Sequence, residues 1–177
     1  AADRSPRAEP TPGLVLVVDD EPLLLRALER ILVADGHRLV LAASVADADD
    51  ALRDPALDVV LVDLVMHGAS GLELLERVKR ERPEVEVIVM TGHASIESAV
   101  GCMRRGAFDY LEKPFGDPHR VRTTIRQAIG RRRLMQRNRA LEAELRGRSP
   151  AFDLVGASPG MRALGRTIHG LRHNESH

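Results

Sequence analysis

DVVLVD, residues 58–63, decides the fold: four consecutive aliphatic residues between two aspartates. The run is too short for a typical helix, and its apolar middle is continuous rather than alternating. That is the pattern of a strand buried on both faces. Working outward, four more runs share the character: LVLVVD at 14–19, RLVLAA at 38–43, VEVIVM at 85–90 and FDYLE at 108–112.

Segments with helical spacing separate the runs. The first follows Glu21-Pro22, carries Leu24, Leu28, Ile31 and Leu32 on one face, and stops at Gly36; proline suits a first turn and glycine a stop. The second is Ala- and Asp-rich and is predicted to start at Ser44. The third opens with Ser70-Gly-Leu-Glu73, which has the form of a capping box, and groups Leu72, Leu75 and Val78. The fourth, from about Ala94 to Arg105, aligns Ile96, Ala99, Val100 and Met103 ahead of Gly106. The fifth opens at Asp117-Pro118, a cap followed by a first-turn proline. Alternation of five strands and five helices predicts an α/β fold, a five-stranded doubly wound parallel sheet. Right-handed crossovers favour the order 2-1-3-4-5, and the functional crevice is then expected beyond the carboxyl ends of the strands.

Composition narrows the function. Apolar residues make up 44% of the 177, enough for a core, yet no apolar run approaches a membrane span of ~20 residues. Net charge is zero, so global attraction to nucleic acid is not indicated. The single cysteine, Cys102, is expected to be a small buried helix residue and suits a reducing, cytoplasmic setting. Aromatics are 2%, which weighs against a binder that works by ring stacking. Of 26 basic residues only Lys79 and Lys113 are lysines, so a compact point charge is wanted at those places.

The chemistry-bearing residues lie at the strand ends. Asp19, Asp20 and Glu21 follow the first strand, Asp63 ends the third, Thr91-Gly92 ends the fourth, and Lys113-Pro114-Phe115 follows the fifth. The first and third strands are neighbours in the predicted order, so the three aspartates should converge. Clustered carboxylates repel unless a cation joins them. Oxygen ligands with waters suit Mg²⁺. Lys113 can face the acids with a further positive charge, and Thr91 can offer a hydroxyl. A carboxylate so neutralised can attack phosphorus, and Asp63, at the centre, is the predicted nucleophile.

Residues 14–130 resemble a response-regulator receiver domain through VVDDEP at 17–22, DLVM at 63–66, Gly71, MTGHAS at 90–95 and GAFDYLEKPF at 106–115. The resemblance implies a flavodoxin-like sheet and phosphorylation of Asp63 by a sensor histidine kinase. It implies an Mg²⁺ site of Asp19, Asp20, Asp63 and the Val65 carbonyl, with Lys113 contacting the phosphoryl group. It makes Thr91 the switch hydroxyl and Tyr110 the switch aromatic, and implies a cis peptide before Pro114. Self-catalysed phosphotransfer and slow autodephosphorylation are then the only chemistry expected, not an enzyme's turnover. One departure is visible: His67 stands where the family usually has proline. A solvated loop histidine is expected there rather than a metal ligand.

The last helix is predicted to run on to Arg148, extending the C-terminal end of the fold. Leu134, Asn138, Leu141 and Leu145 fall at heptad positions d, a, d, a, the pattern of a parallel two-stranded coil. A homodimer through residues 118–146 is expected. Arg131, Arg132, Arg133, Arg137 and Arg139 are read as a solvated flank of that coil, with no direct nucleic-acid contact. Beyond the break at Gly147–Pro150, FDLVGASPGMRALGRTI at 152–168 resembles the opening of the ATPase domain of NtrC-type, sigma-54-dependent activators, without the phosphate-binding loop GxxxxGK[ST]. The expected organisation is a leader at 1–13, a receiver at 14–130, a helical linker at 131–148 and the start of an ATPase domain or a tail at 149–177, together an N-terminal fragment of a regulator of sigma-54-dependent transcription. Two alternatives stand beside this reading: a flavodoxin-like cofactor-binding protein, and a receiver-like interaction module that is never phosphorylated.

Overall fold

The computed structural model describes residues 12–92 and 95–148. The expectations placed on 1–11 and 149–177, the bulk of the leader and the ATPase-like stretch, lie outside the described residues. Contacts divide the chain into two compact units, Ala1–Asn138 and Arg139–His177. The first holds the whole sheet.

Its elements in chain order are β1 (Leu14–Val18), α1 (Pro22–Val33), β2 (Arg38–Ala42), α2 (Asp49–Arg53), β3 (Leu57–Asp63), a two-residue hairpin β4 (Val65–Met66) and β5 (Ala69–Ser70), α3 (Gly71–Glu81), β6 (Glu86–Thr91), α4 (Ile96–Arg104), β7 (Asp109–Glu112) and α5 (Pro118–Arg148). The main sheet is β2-β1-β3-β6-β7, all parallel. Leaving the hairpin out of the count, this is the predicted 2-1-3-4-5 order. The hairpin itself was not anticipated.

The sheet carries a core on each face, because consecutive strand residues point to opposite sides. Leu16, Val18, Val60, Val62, Val87 and Val89 pack with Leu74, Leu75 and Val78 of α3 and Cys102 of α4. Val15, Val17, Val59, Leu61, Ile88 and Met90 pack with Leu25, Leu28 and Leu32 of α1 and with Val121, Ile125, Ala128 and Ile129 of α5. All seven residues of β3 are buried, which explains the continuous aliphatic run Val59–Val62 between its two aspartates. Each fully buried Val, Leu, Ile or Met side chain of the two cores contributes about 1.5–3 kcal/mol on burial.

Several local expectations change. Ser44 does not start a helix: its hydroxyl and Asp47 bond each other, and the following bonds from Ala48 to Val45 and Asp49 to Ala46 are three-residue turns, so α2 begins at Asp49. Ser70 caps α3 by accepting from the Leu72 N–H, while the reciprocal capping box belongs to α4, between Ser95 and Ser98. On α4 the aligned stripe faces outward, with Ile96 85% exposed and Val100 and Met103 nearly half exposed; Cys102 turns inward instead, as expected of it.

The arginines of α5 differ most from expectation. Arg131 pairs with buried Glu86 at 3.3 Å and lies over the Phe108 ring. Arg132 is buried, pairs with Asp58 and donates to the Pro55 carbonyl at 3.0 Å. Arg133 donates to the Pro12 carbonyl at 2.5 Å. Of these only Arg132 is withdrawn from solvent; Arg131 and Arg133 stay partly exposed while reaching Glu86 and, at 3.9 Å, Asp58 at the amino-end edge of the sheet, and Arg137 and Arg139 are exposed as expected. Asp58 reaches Arg132 and Arg133 because the β1–β3 register skips it between Leu14 and Val15, and its carboxylate also accepts from the Leu14 N–H at 3.0 Å. Farther along α5, Leu134, Leu141 and Leu145 are exposed.

Candidate functional site: an acid pocket at the strand ends

Parallel β1 and β3 end side by side, with Val18 opposite Val62. The next residues, Asp19 and Asp63, are therefore delivered to one place by the sheet register. Asp19 is fully buried and Asp63 nearly so. Asp20, less buried, completes the group: one carboxylate oxygen from each of Asp19, Asp20 and Asp63 lies within 4.8 Å of the others. The predicted convergence of the three acids is present.

The cation opposite them arrives from β7. Lys113 Nζ donates to Asp19 Oδ2 at 2.6 Å and lies 3.0 Å from Asp63 Oδ2. Burial would by itself lower the Lys113 pKa, but its hydrogen bonds to Asp19 and Asp63 more than offset this, and the ammonium is held above its usual value. The stem is oriented by its own backbone, whose N–H donates to the Thr91 carbonyl at 2.7 Å. The Lys113–Pro114 peptide that follows is cis.

Thr91 is buried at the end of β6, one residue past Met90, which stands opposite Asp63. Tyr110 is half-buried on β7, opposite Val89, with its hydroxyl 3.4 Å from Ser98 Oγ of α4. That Ser98 partner was not foreseen in the sequence. The Val65 N–H is directed at Asp63 Oδ1, 3.4 Å away, and the side chain of Val65 is exposed.

Two features of the loop after β3 shape the pocket. Gly71 begins α3 directly against the strand end: a Cβ there would stand 1.9 Å from the Asp63 carbonyl oxygen, so no other residue fits without moving Asp63. His67, at the β4–β5 turn, is exposed as expected, but it is not merely solvated. Its backbone N–H donates to Asp20 Oδ2 at 2.9 Å, and its ring Nδ1 contacts the same oxygen. These bonds, the backbone one foremost, hold the Asp20 carboxyl below the usual carboxylate range. Proline at that position has no N–H to give, so only the departure from the usual motif makes this contact available.

An all-oxygen cluster of three carboxylates, open on the Asp20 side, fits a hard divalent cation better than a soft one. Among the described residues no helix is long and apolar enough to cross a membrane.

Comparison with known proteins agrees with the geometry. Residues 15–126 match the response regulator receiver domain model. The chain is 36% identical over 159 residues to the DNA-binding transcriptional regulator NtrC of Escherichia coli K12, covering 90% of this chain and 33% of the relative. It is also 36% identical over 159 residues to the nitrogen assimilation regulatory protein NtrX of Azorhizobium caulinodans, covering 87% and 33%. It therefore spans about a third of the length of the curated relatives it matches. Among solved structures, NtrX from Brucella abortus in complex with ADP superposes with a TM-score of 0.69 at 32% identity, covering 91% of this chain and 34% of that one. The beryllofluoride-activated NtrC4 receiver domain dimer superposes with a TM-score of 0.63 at 33% identity, covering 67% and 98%. The acid pocket, the sheet order and these matches lead to one conclusion: the chain belongs to the response regulator receiver family, with NtrC-type two-component regulators among its relatives.

Proposed function

We propose that this chain receives a phosphoryl group on Asp63 from a phosphohistidine of a sensor kinase and, in a longer protein, uses it to control sigma-54-dependent transcription. The observation that carries the reading is the Lys113 ammonium held between Asp19 Oδ2 at 2.6 Å and Asp63 Oδ2 at 3.0 Å, at the mouth of an acid cluster.

In this reading an Asp63 carboxylate oxygen attacks phosphorus. The new O–P bond forms as the donor's P–N bond breaks, and the imidazole leaves with the bonding electron pair and takes a proton from solvent. Lys113, already poised against Asp63, stabilises the added negative charge. Asp19, Asp20, Asp63 and the Val65 carbonyl would hold Mg²⁺. Bound there, the ion supplies charge neutralisation for the transferring phosphoryl oxygens. Thr91 then donates its hydroxyl to the acquired phosphoryl group, and Tyr110 follows by exchanging its contact with Ser98. The signal passes to α4 and β7 as a local change in charge with a distant readout.

For output, we infer a homodimer through α5, residues 118–146, supported by the exposed Leu134, Leu141 and Leu145 and by the dimeric state named for the NtrC4 receiver. The test of the phosphoryl step uses a small donor, acetyl phosphate, with Mg²⁺. The unaltered chain should gain one phosphoryl group by intact mass, and Asp63→Asn none. Equal labelling of the variant would refute the site.

A further inference from the structure

We propose that His37 is a proton-operated latch: its neutral imidazole holds the start of β1 against the middle of α5, and a proton on the ring opens that junction. The latch lies at the amino ends of the strands, away from the acid pocket, and does not depend on how that pocket is read.

Two buried side chains take the N–H groups where β1 begins. The Gly13 N–H donates to His37 Nδ1 at 3.2 Å, and the Leu14 N–H donates to Asp58 Oδ2 at 3.0 Å. The first bond fixes the state of the ring. Nδ1 accepts only while it carries no proton, so His37 is the neutral tautomer with its hydrogen on Nε2. A proton added at Nδ1 would turn the acceptor into a donor that faces another donor.

Neither partner has room to turn away. His37 is 6% exposed, and its own N–H donates to the Leu32 carbonyl at 3.2 Å. Gly13 lies so close to α5 that a Cβ on it would stand 2.6 Å from Ile129 Cδ1. The Gly13 carbonyl accepts from the Arg38 N–H at 2.9 Å, and the Pro12 carbonyl before it accepts from Arg133 at 2.5 Å. The lost bond would therefore be felt in β1, β2 and α5 together.

The charges around the ring do not invite a proton. Asp35, just past α1, and Asp58 of β3 favour one, while Arg126 and Arg133 of α5 oppose it. Both acids are already engaged, Asp35 with Arg122 at 3.5 Å and Asp58 with Arg132, and the neighbouring Arg38 of β2 is exposed. Burial is the largest influence and holds the His37 pKa below its ordinary value of 6.5. The latch therefore adds stability that is fully present above the unfolded value of about 6.5 and is lost as pH falls through the lower folded value.

The experiment follows the full chain between pH 7.5 and pH 5. Ring ¹⁵N shifts give the tautomer and titration of His37, and amide exchange, corrected for its intrinsic pH dependence, is read at Gly13 and at residues 125–133. His37→Gln keeps an oxygen that can accept from the Gly13 N–H and cannot titrate. In the unaltered chain the ring should be the Nε2–H tautomer at pH 7.5 and titrate below 6.5. Corrected exchange at Gly13 and in α5 should rise at least about tenfold as it does so, the worth of one lost buried hydrogen bond. His37→Gln should show no such rise. A His37 midpoint at or above 6.5, exchange that stays constant while the ring titrates, or the same rise in His37→Gln would overturn the proposal. The first two are read on the unaltered chain, so a variant that fails to fold leaves the test intact.

Discussion

Lys113 is one of two lysines in a chain of 26 basic residues, and it is the one that lies between the two buried acids. Removing it should separate two roles. Lys113→Met should slow labelling of Asp63 by acetyl phosphate by about a hundredfold, since a preorganised charge at a developing anion has that worth. The same variant should bind Mg²⁺ more tightly than the unaltered chain, because the ammonium and the ion compete for Asp19 and Asp63. Tighter Mg²⁺ with slower labelling is the expected pair of results; weaker Mg²⁺ would contradict the charge argument. The pH dependence follows from the raised Lys113 pKa. The stabilisation from its ion pairs is fully present below the unfolded value of about 10.4 and is lost as pH rises through the higher folded value. A urea midpoint that falls between pH 7 and 9 and recovers in Lys113→Met would contradict this. At this scale the meeting of Asp19, Asp20 and Asp63 with Lys113 was legible, because each sits at or just beyond a strand end and lysine is rare in the chain. The contact of His67 with Asp20 was not, because it depends on a hairpin turn too short to leave a periodic signal.

Elements were legible to the extent that burial drives their pattern. β1, β3 and β6 are buried on both faces and stood out as aliphatic runs. α4 was legible in its extent, predicted from about Ala94 to Arg105 and found at Ile96–Arg104, but not in its facing, since its aligned apolar residues turn outward and its buried contact is Cys102. Nor could sequence show that Arg131, Arg132 and Arg133 leave the coil flank to pair with the sheet: their partners Glu86 and Asp58 are far away along the chain, and Asp58 is placed by a register shift. That clamp makes a prediction for α5. Arg132→Ala leaves Asp58 buried without its main partner and should cost about 3–5 kcal/mol in urea denaturation. Arg137→Ala, on the exposed part of the helix, should cost less than about 0.5 kcal/mol. Similar costs for the two would mean that the clamp is not structural. The junction of β3 and α3 makes another. Gly71→Ala forces a methyl against the Asp63 carbonyl, and should cost about 3 kcal/mol or more and slow labelling of Asp63 as well. Unchanged labelling with full stability would show that the junction yields more easily than its geometry implies.

For the whole molecule, the proposed function raises the question of how a phosphoryl group on Asp63 would reach a second copy of the chain. In the proposed dimer, the exposed Leu134, Leu141 and Leu145 with Asn138 would supply two heptads of a coil, few enough for association to be sensitive to small changes. Leu141→Lys should convert a dimer to a monomer in sedimentation without altering Mg²⁺ binding or Asp63 labelling; an unaffected dimer would place the interface elsewhere. All of this depends on Asp63 being the acceptor, and an aspartyl phosphate can be trapped chemically. Borohydride reduction of the labelled chain, followed by peptide mapping, converts the phosphorylated aspartate to homoserine. Homoserine at position 63 alone, formed only when Mg²⁺ is present, is the predicted result; homoserine at position 19 or 20, or a phosphoryl group on a hydroxyl or imidazole side chain, would contradict the account.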